Sequence, residues 1–276
     1  MVVLMVIYLI VCRYGLQIIN NFLMLLSELK FLRSLQQKKY RIEHRCFLVE
    51  GTKLVKEILA SDFVVRQVYA TGKWMAKNFD FQGDVQIISE KESERISSLS
   101  STPSVFALVE MKPDRPFSME HYKKLLLLDG IKNTGNLGTI IRTADWFGID
   151  CIFCSEDTVE MYNPKTIQST MGSFTRVDIY TCNLCNFIRD YTAKYSFIGA
   201  CMEGHSVQEY TFPDYAAIVL GNESTGISAE VSSLIQEKIT ILPVNKNSIS
   251  QQQAESLNVS ISAAIICYEL TKQPNN

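Results

Sequence analysis

The sequence lacks an excess of charge of either sign, because its 276 residues contain 27 Lys and Arg against 29 Asp and Glu, for a formal net charge of −2. This balance excludes a globally basic nucleic-acid coat protein, so any polyanion site must come from a local patch. Charged residues make up 20% of the chain and hydrophobic residues 47%. That composition is typical of a globular protein and excludes a disordered or collagen-like one. At about 150 residues per domain, the length predicts two domains.

A secreted disulfide framework is also absent. The eight cysteines lie at uneven positions, several of them within apolar runs: residues 12, 46, 151, 154, 182, 185, 201 and 267. This pattern favours reduced, buried thiols in a cytoplasmic protein. The pairs 151/154 and 182/185 have the Cys-x-x-Cys spacing of zinc ligands. Cys151 and Cys154, however, lie on a predicted strand, where residues three apart face opposite sides, so we predict no metal.

The first 26 residues form an apolar extension. Arg13 and the pair Asn20-Asn21 interrupt it, so neither apolar run is long enough to span a bilayer. It is also a poor signal peptide, because no basic residue precedes it and no small-x-small cleavage site follows. A weak membrane anchor, a structured helix and an upstream extension outside the working protein remain open. We favour the last, with Met24 as a natural start, and expect no stable membrane association.

Residues 27–112 predict a small α/β domain. Leu29, Leu32 and Leu35 lie on one face of a predicted helix, and a second helix is predicted at 52–60. The predicted strands are 47–49, 64–70, 85–88 and 104–111. Residues 113–122 are predicted to be a linker, because two prolines within the five residues 112–116 forbid regular structure at its start.

Residues 123–276 alternate continuous apolar strands with helices, which predicts an α/β domain with a parallel sheet covered on both faces. The predicted strands are 125–128, 151–154, 178–180, 197–200, 216–220 and 239–244, and the last predicted helix is 255–270. Ligands of such sheets bind beyond the carboxyl ends of the strands, so the loops at those ends are the candidate site.

Three of these loops carry unusual residues. Residues 133–144 place Arg142 near the start of a helix, where it suits a phosphate or carboxylate, although a surface ion pair is favoured for this segment alone. Residues 220–226 read Leu-Gly-Asn-Glu-Ser-Thr-Gly, which is neither a P-loop nor a dinucleotide motif; Glu223 suits a ribose hydroxyl or a helix N-cap. Ser256 and Asn258 stand at a helix start, where capping alone would explain them.

Together, these loops resemble, in order, the three motifs of the SpoU (TrmH-like) branch of the SPOUT RNA methyltransferases: N-x-G-x-x-x-R, G-N-E-x-x-G, and Pro followed by S-L-N-V-S. Residues 47–57 also resemble the F-x-V-E-G-x-x-x-V-x-E stretch of that family's ribosomal-protein-like substrate-binding domain. The resemblance covers the chain from about residue 27. It implies a deep trefoil knot in the C-terminal domain, S-adenosylmethionine as methyl donor, an RNA ribose 2'-hydroxyl as acceptor, and a homodimer whose active site forms across the interface.

The resemblance also implies two sets of site residues. The donor pocket would consist of Leu220, Gly221, Ile241, Pro243, Leu257 and Asn258. The residues around the reaction would be Asn136, Arg142, Glu223, Ser256 and Asn258. The family assigns catalysis to Arg142. Because a guanidinium is no free base at neutral pH, we expect it to bind RNA phosphate and stabilise alkoxide charge, while the proton leaves through that phosphate or a water.

Two departures from the family pattern concern the loops. Thr134 stands where a Pro is usual, which we expect to change only loop stiffness. Residues 245–253, a segment without glycine, separate Pro243 from the S-L-N run, where the family normally has a Gly and a short link. The resemblance therefore supports the fold more firmly than the affinity for the cofactor.

A local basic patch near the N-terminus is predicted to bind RNA. It comprises Lys30, Arg33, Lys38, Lys39, Arg41 and Arg45. Tyr40 and His44 are interleaved with these cations, which suits contact with a phosphate backbone. A solvated helix face is the alternative interpretation.

Three functions remain at this point. The leading one is S-adenosylmethionine-dependent methylation of a ribose 2'-hydroxyl in RNA, with ribosomal RNA favoured over transfer RNA. The second is a knotted RNA-binding protein without turnover, acting in ribosome assembly. The third is a small-molecule α/β transferase, which the basic N-terminal domain disfavours.

Overall fold

The computed structural model describes residues 24–78, 81, 83–99, 101–113, 117, 119–149, 151–243 and 256–272. The predicted apolar extension, up to residue 23, lies outside the described residues, as do the segment 245–253 and part of the predicted linker. The chain divides into two compact units, Met1–Pro113 and Asp114–Asn276. Within the described ranges, no helix combines the length and the apolar character that crossing a bilayer requires.

The first unit is a four-stranded mixed sheet with helices. Its strands are β1 (Cys46–Glu50), β2 (Val65–Thr71), β3 (Val85–Ile88) and β4 (Val105–Glu110). Its helices are α1 (Leu26–Ser34), α2 (Lys38–His44), α3 (Thr52–Leu59), α4 (Gly72–Lys77) and α5 (Glu90–Ile96). The strand order is β1-β4-β2-β3, with only β2 and β3 parallel. The predicted apolar face of the first helix is confirmed, because Leu29, Leu32 and Leu35 are buried in this unit's core.

The second unit has a six-stranded, wholly parallel sheet, as predicted. Its strands are β5 (Lys124–Leu128), β6 (Cys151–Cys154), β7 (Asp178–Thr181), β8 (Ser196–Ser206), β9 (Ala216–Leu220) and β10 (Glu237–Thr240). Its helices are α6 (Thr134–Phe147), α7 (Pro164–Thr170), α8 (Leu184–Tyr191), α9 (Ala229–Ser232) and α10 (Val259–Thr271), with a 3-10 turn at Ser173–Thr175. The central strands β5 and β9 are buried throughout their apolar runs, which is why they show no polar alternation.

Three predicted boundaries are wrong. The strand predicted at 197–200 is β8, which continues to Ser206. The strand predicted at 239–244 is β10, which ends at Thr240, so residues 241–243 have already left the sheet. The helix predicted at 255–270 begins only at Val259, because the side chain of Asn258 accepts a hydrogen bond from the Ser260 N–H and caps the helix there.

The strand order places the candidate loops side by side. The sheet runs β10-β8-β9-β5-β6-β7, so the chain passes from β5 outward to β7 and then crosses to the other half of the sheet. The order reverses between β5 and β9, and the crevice outside such a switch point is where parallel sheets bind ligands. The loops that follow β5 and β9 therefore meet at one edge.

Candidate functional site

The first candidate loop leads into α6. Asn133 caps this helix, since its Oδ1 accepts hydrogen bonds from the N–H groups of Gly135 (2.8 Å) and Asn136 (3.1 Å). Satisfying these N–H groups fixes the first turn, which holds Asn136 in a defined place. Further along, a Cβ at Gly138 would lie 2.4 Å from the Ser169 Cβ, so glycine allows α6 to approach α7 closely.

The second candidate loop follows β9 and is folded tightly on itself. The backbones of Asn222 and Gly226 exchange two hydrogen bonds of 2.9 Å. The Asn222 Oδ1 accepts from the Ser224 N–H at 2.8 Å, and its Nδ2 donates to the Gly130 carbonyl at 2.7 Å. The last of these bonds joins this loop to the one after β5. Asn222 thus positions both loops, a role that its sequence motif alone did not reveal.

Asp129 is a second residue whose role the sequence did not predict. It follows β5 directly, is buried, and accepts a 2.7 Å hydrogen bond from the Ser228 N–H through Oδ2. Its own N–H donates to the Leu220 carbonyl. One sequence feature could have identified Asp129: it is an acidic residue immediately after a continuous apolar strand. Its contacts show that it holds the β9 loop.

The third candidate segment enters through Asn258. Its Oδ1 accepts hydrogen bonds from the Ser260 N–H (2.9 Å) and hydroxyl (2.6 Å), which leaves its Nδ2 directed away from the helix. That Nδ2 donates to the Asn136 Oδ1 at 3.1 Å. The expected capping role is therefore confirmed, and Asn258 makes an additional long-range contact. It is exposed rather than buried.

A hydrogen-bonded series connects all three segments. The Asn258 Nδ2 donates to the Asn136 Oδ1, and the Asn136 Nδ2 donates to the Glu223 Oε1 at 2.6 Å. We call these three residues the amide–carboxylate series. Glu223 does not cap a helix; that role belongs to Ser228 at the start of α9. The series leaves the Glu223 carboxylate exposed at the carboxyl ends of the strands, where it can accept a hydrogen bond from a ligand.

Arg142 lies outside this series. It is exposed on α6, six residues and about 9 Å along the helix axis from Asn136. Its predicted place near the start of the helix is wrong, because α6 begins at Thr134 and Arg142 lies past its middle. With the described residues it forms no hydrogen bond or ion pair, so the surface ion pair favoured for its segment alone is not observed among them. Ser256 is likewise exposed, two residues before Asn258.

The residues predicted to form the methyl-donor pocket differ in solvent exposure. Leu220 and Gly221 are buried, so they offer mainly backbone groups. A Cβ at Gly221 would lie 2.2 Å from the Gly226 carbonyl carbon, so only glycine fits there. Ile241 is half-buried, Pro243 is exposed, and Leu257 is 47% exposed, so these three residues present apolar side chains. Polar backbone groups together with apolar side chains are the kind of lining expected of a site that binds a nucleoside.

The predicted RNA-binding cations are exposed with one exception. Lys30, Arg33, Lys38, Lys39 and Arg45 all lie on the surface of the first unit. The prediction for Arg41 is wrong: it is only 1% exposed, and its Nη1 donates a 2.7 Å hydrogen bond to the Leu35 carbonyl. The guanidinium therefore holds the α1–α2 connection and has no open path to a phosphate.

The cysteine pairs show the electrostatics of buried thiols. Burial raises the pKa of Cys154 to about 12 and that of Cys182 to about 11. Both thiols therefore stay protonated at neutral pH. Among the residues that the structure describes, no group of three or more His, Cys, Asp or Glu has a geometry that could hold a metal ion.

Known proteins resemble both units. The SpoU rRNA Methylase family model matches residues 123–268, and the MRM3-like substrate binding domain model matches residues 27–107. The chain is 30% identical over 248 residues to the 23S rRNA (guanosine(2553)-2'-O)-methyltransferase RlmP of Bacillus subtilis, an alignment that covers 88% of this chain and 96% of that protein.

Solved structures of other proteins are similar to this chain over most of its length. A TrmH-family protein from Porphyromonas gingivalis superposes with a TM-score of 0.78 at 34% identity, covering 90% of this chain and 98% of its own. The AdoMet-bound rRNA methyltransferase from Sinorhizobium meliloti gives a TM-score of 0.76 at 26% identity, covering 90% and 96%. On these matches, this chain belongs to the SpoU rRNA methylase family.

Proposed function

We propose that this protein transfers the methyl group of S-adenosylmethionine to a ribose 2'-hydroxyl of ribosomal RNA. The observation that carries the proposal is the amide–carboxylate series, because it brings residues of all three family motifs together at the switch point of a parallel sheet. The name of the Bacillus subtilis relative supports both the reaction and the choice of ribosomal RNA over transfer RNA.

The donor would be held by Leu220, Gly221, Ile241, Pro243, Leu257 and Asn258. When bound, S-adenosylmethionine supplies an electrophilic methyl group on a sulfonium. The residues fit such a group, because the buried backbone at Leu220 and Gly221 suits polar edges and the half-exposed Leu257 suits an aromatic or aliphatic face. The AdoMet-bound Sinorhizobium meliloti relative supports this assignment.

The chain's own polar residues would position the RNA. The guanidinium of Arg142 would bind an RNA phosphate bidentately and stabilise the alkoxide charge that develops on the ribose oxygen. Glu223 would accept a hydrogen bond from the ribose, with its carboxylate oriented by Asn136. Ser256 would contribute a hydroxyl beside the same crevice. Because methyl transfer is an in-line displacement, such positioning supplies much of the rate.

We further propose that the active protein is a homodimer. Along α10, residues at helical spacing form an apolar stripe that we call the α10 stripe: Ile261, Ala264, Ile265 and Tyr268. Ile261 and Tyr268 are each 52% exposed, and Trp146 on the neighbouring α6 is 84% exposed. Such a surface suits a second copy of the chain. A dimer would place further groups near the exposed Arg142, as the family resemblance implies.

A tritium-transfer assay tests the function. Purified full-length protein is incubated with methyl-tritiated S-adenosylmethionine and with ribosomal RNA, ribosomal subunits or transfer RNA. We expect label in ribosomal RNA, at a site that becomes resistant to alkaline cleavage because a methylated 2'-oxygen cannot attack the neighbouring phosphate. Label found only in transfer RNA would overturn the proposal that ribosomal RNA is the substrate. RNA binding with intact cofactor binding and no transfer would instead support an RNA-binding role without turnover.

A further inference from the structure

Three rings meet on the outer surface of α1 and α2 in the first unit. The rings of Phe31 and His44 are 5.0 Å apart and perpendicular, at 88°. The rings of Tyr40 and His44 are 6.5 Å apart and nearly parallel, at 12°. We call Phe31, Tyr40 and His44 the ring cluster. A flat group that stacks on His44 would therefore lie parallel to Tyr40 as well.

The inner members of the ring cluster are anchored. Phe31 and Tyr40 are half-buried and pack against the core of the first unit, whereas His44 is exposed. The buried guanidinium of Arg41 fixes the connection between the two helices by its hydrogen bond to Leu35. An exposed ring on a rigid base loses little conformational entropy when it binds a partner.

Positive charge surrounds the ring cluster. Five exposed cations lie on or next to the same two helices: Lys30, Arg33, Lys38, Lys39 and Arg45. The Lys39 ammonium lies 5.7 Å from the Tyr40 ring centroid. These two helices carry two acidic residues. Glu28 is directed inward, since it accepts hydrogen bonds from the Tyr69 hydroxyl and the Gln86 amide, whereas Glu43 is exposed, so the five cations face one exposed carboxylate. The surface thus suits a partner with both phosphates and flat rings.

Duplex RNA presents phosphates but keeps its bases stacked inside, whereas single-stranded loops expose bases that aromatic side chains and histidine can stack on. We propose that His44, supported by Tyr40 and Phe31, stacks on an unpaired base while the neighbouring cations bind its phosphates. The first unit then selects looped or single-stranded RNA over duplex RNA. This inference rests on the proposed RNA substrate and specifies its form.

Binding by full-length protein to a fluorescent 12-nucleotide single strand and to the duplex of the same sequence tests the inference. We expect His44→Ala to weaken single-strand binding by about 5- to 150-fold, the range for one lost base stack, and to change duplex binding less than about twofold. His44→Phe keeps a ring and should restore single-strand binding. His44→Lys keeps a cation without a ring and should not. His121→Ala, an exposed histidine in the second unit, is the matched control.

Equal losses on both RNAs, restoration by Lys as fully as by Phe, or no loss with Ala would each overturn the inference. Circular dichroism checks folding, and His44→Lys serves for the comparison with Phe if the Ala variant unfolds. Methyl transfer is measured in parallel. If the wild type transfers methyl groups but substitution of His44 does not change RNA binding, only this inference is rejected. If single-strand binding depends on His44 but no methyl group is transferred, only the proposed reaction is rejected.

Discussion

Asn136 and Glu223 lie 87 positions apart in the chain and share a 2.6 Å hydrogen bond from the amide nitrogen to the carboxylate. This bond joins the helix after β5 to the loop after β9, across the point where the sheet order reverses. A carboxylate held by a neutral amide keeps its charge available to a ligand, because the partner does not neutralise it.

Replacing Glu223 tests what the carboxylate contributes. We expect Glu223→Ala to lower kcat/KM for methyl transfer by roughly 10- to 150-fold, since a hydrogen bond to a charged group contributes about 1.5–3 kcal/mol. Glu223→Gln retains an oxygen that accepts from Asn136 and should lose about tenfold or less. Steady-state kinetics measure both. Equal losses for Gln and Ala would show that charge matters rather than position.

Arg142 is expected to be essential for turnover and dispensable for folding. Arg142→Ala should lower kcat by about 10²- to 10³-fold, the effect of removing one donor to developing negative charge. Arg142→Lys should also lose most turnover, because an ammonium cannot bind a phosphate bidentately. Single-turnover kinetics give the rate, and calorimetry should find S-adenosylmethionine binding unchanged. Near-complete activity of the Lys variant would contradict the proposed role.

A methyl group at Gly221 should close the donor pocket. The new Cβ would meet the Gly226 backbone at 2.2 Å, and backbone atoms cannot rotate away as side chains do. We expect Gly221→Ala to destabilise the protein by about 1–3 kcal/mol and to abolish S-adenosylmethionine binding in calorimetry. Gly72→Ala is the matched control, because nothing lies within 4 Å of its Cβ position. Unchanged cofactor binding by Gly221→Ala would remove this loop from the pocket.

The α10 stripe should control the oligomeric state. Ile261→Asp would place an unpaired carboxylate in the proposed interface, at a cost of several kcal/mol. We expect the dimer dissociation constant to rise by roughly 100-fold or more, as measured by analytical ultracentrifugation, and turnover to fall with it. Val64→Asp replaces an apolar residue of similar exposure (58%) in the first unit and should leave the dimer intact. A wild-type monomer at all concentrations would contradict the homodimer.

Glu50 should make the stability of the first unit depend on pH. Burial raises the pKa of this carboxyl above its ordinary value of 4.5, although hydrogen bonds from Ser97 and Gln36 oppose the shift. Because the pKa of Glu50 is higher in the folded state than in the unfolded state, the protonated carboxyl favours folding. This contribution to stability is complete below the pKa of the unfolded state and is lost as the pH rises through the pKa of the folded state. Glu50→Gln mimics the protonated acid. We therefore expect it to be more stable than the wild type in urea at pH 7, by a margin that shrinks toward pH 4. A margin independent of pH would contradict this.

The features that the sequence predicted correctly are those that depend on the pattern of neighbouring residues. The apolar runs of β5 and β9 and the leucine spacing of α1 identified buried elements, because burial on both faces leaves a direct compositional signal. The end of β10 and the start of α10 were wrong, because a single hydrogen bond from a cap decides such a boundary. Arg41 was misassigned because a buried guanidinium and an exposed one look alike in a helical pattern. The roles of Asp129 and Asn222 depend on contacts about a hundred positions away, which one chain does not encode locally.

The amide–carboxylate series has a fixed polarity. Because the Asn258 oxygen is occupied by the first turn of α10, its nitrogen must face Asn136, whose own nitrogen must then face Glu223. Rotating either amide by half a turn would bring like atoms together. The start of α10 thereby sets the orientation of both amides, and with it the donor that the Glu223 carboxylate receives.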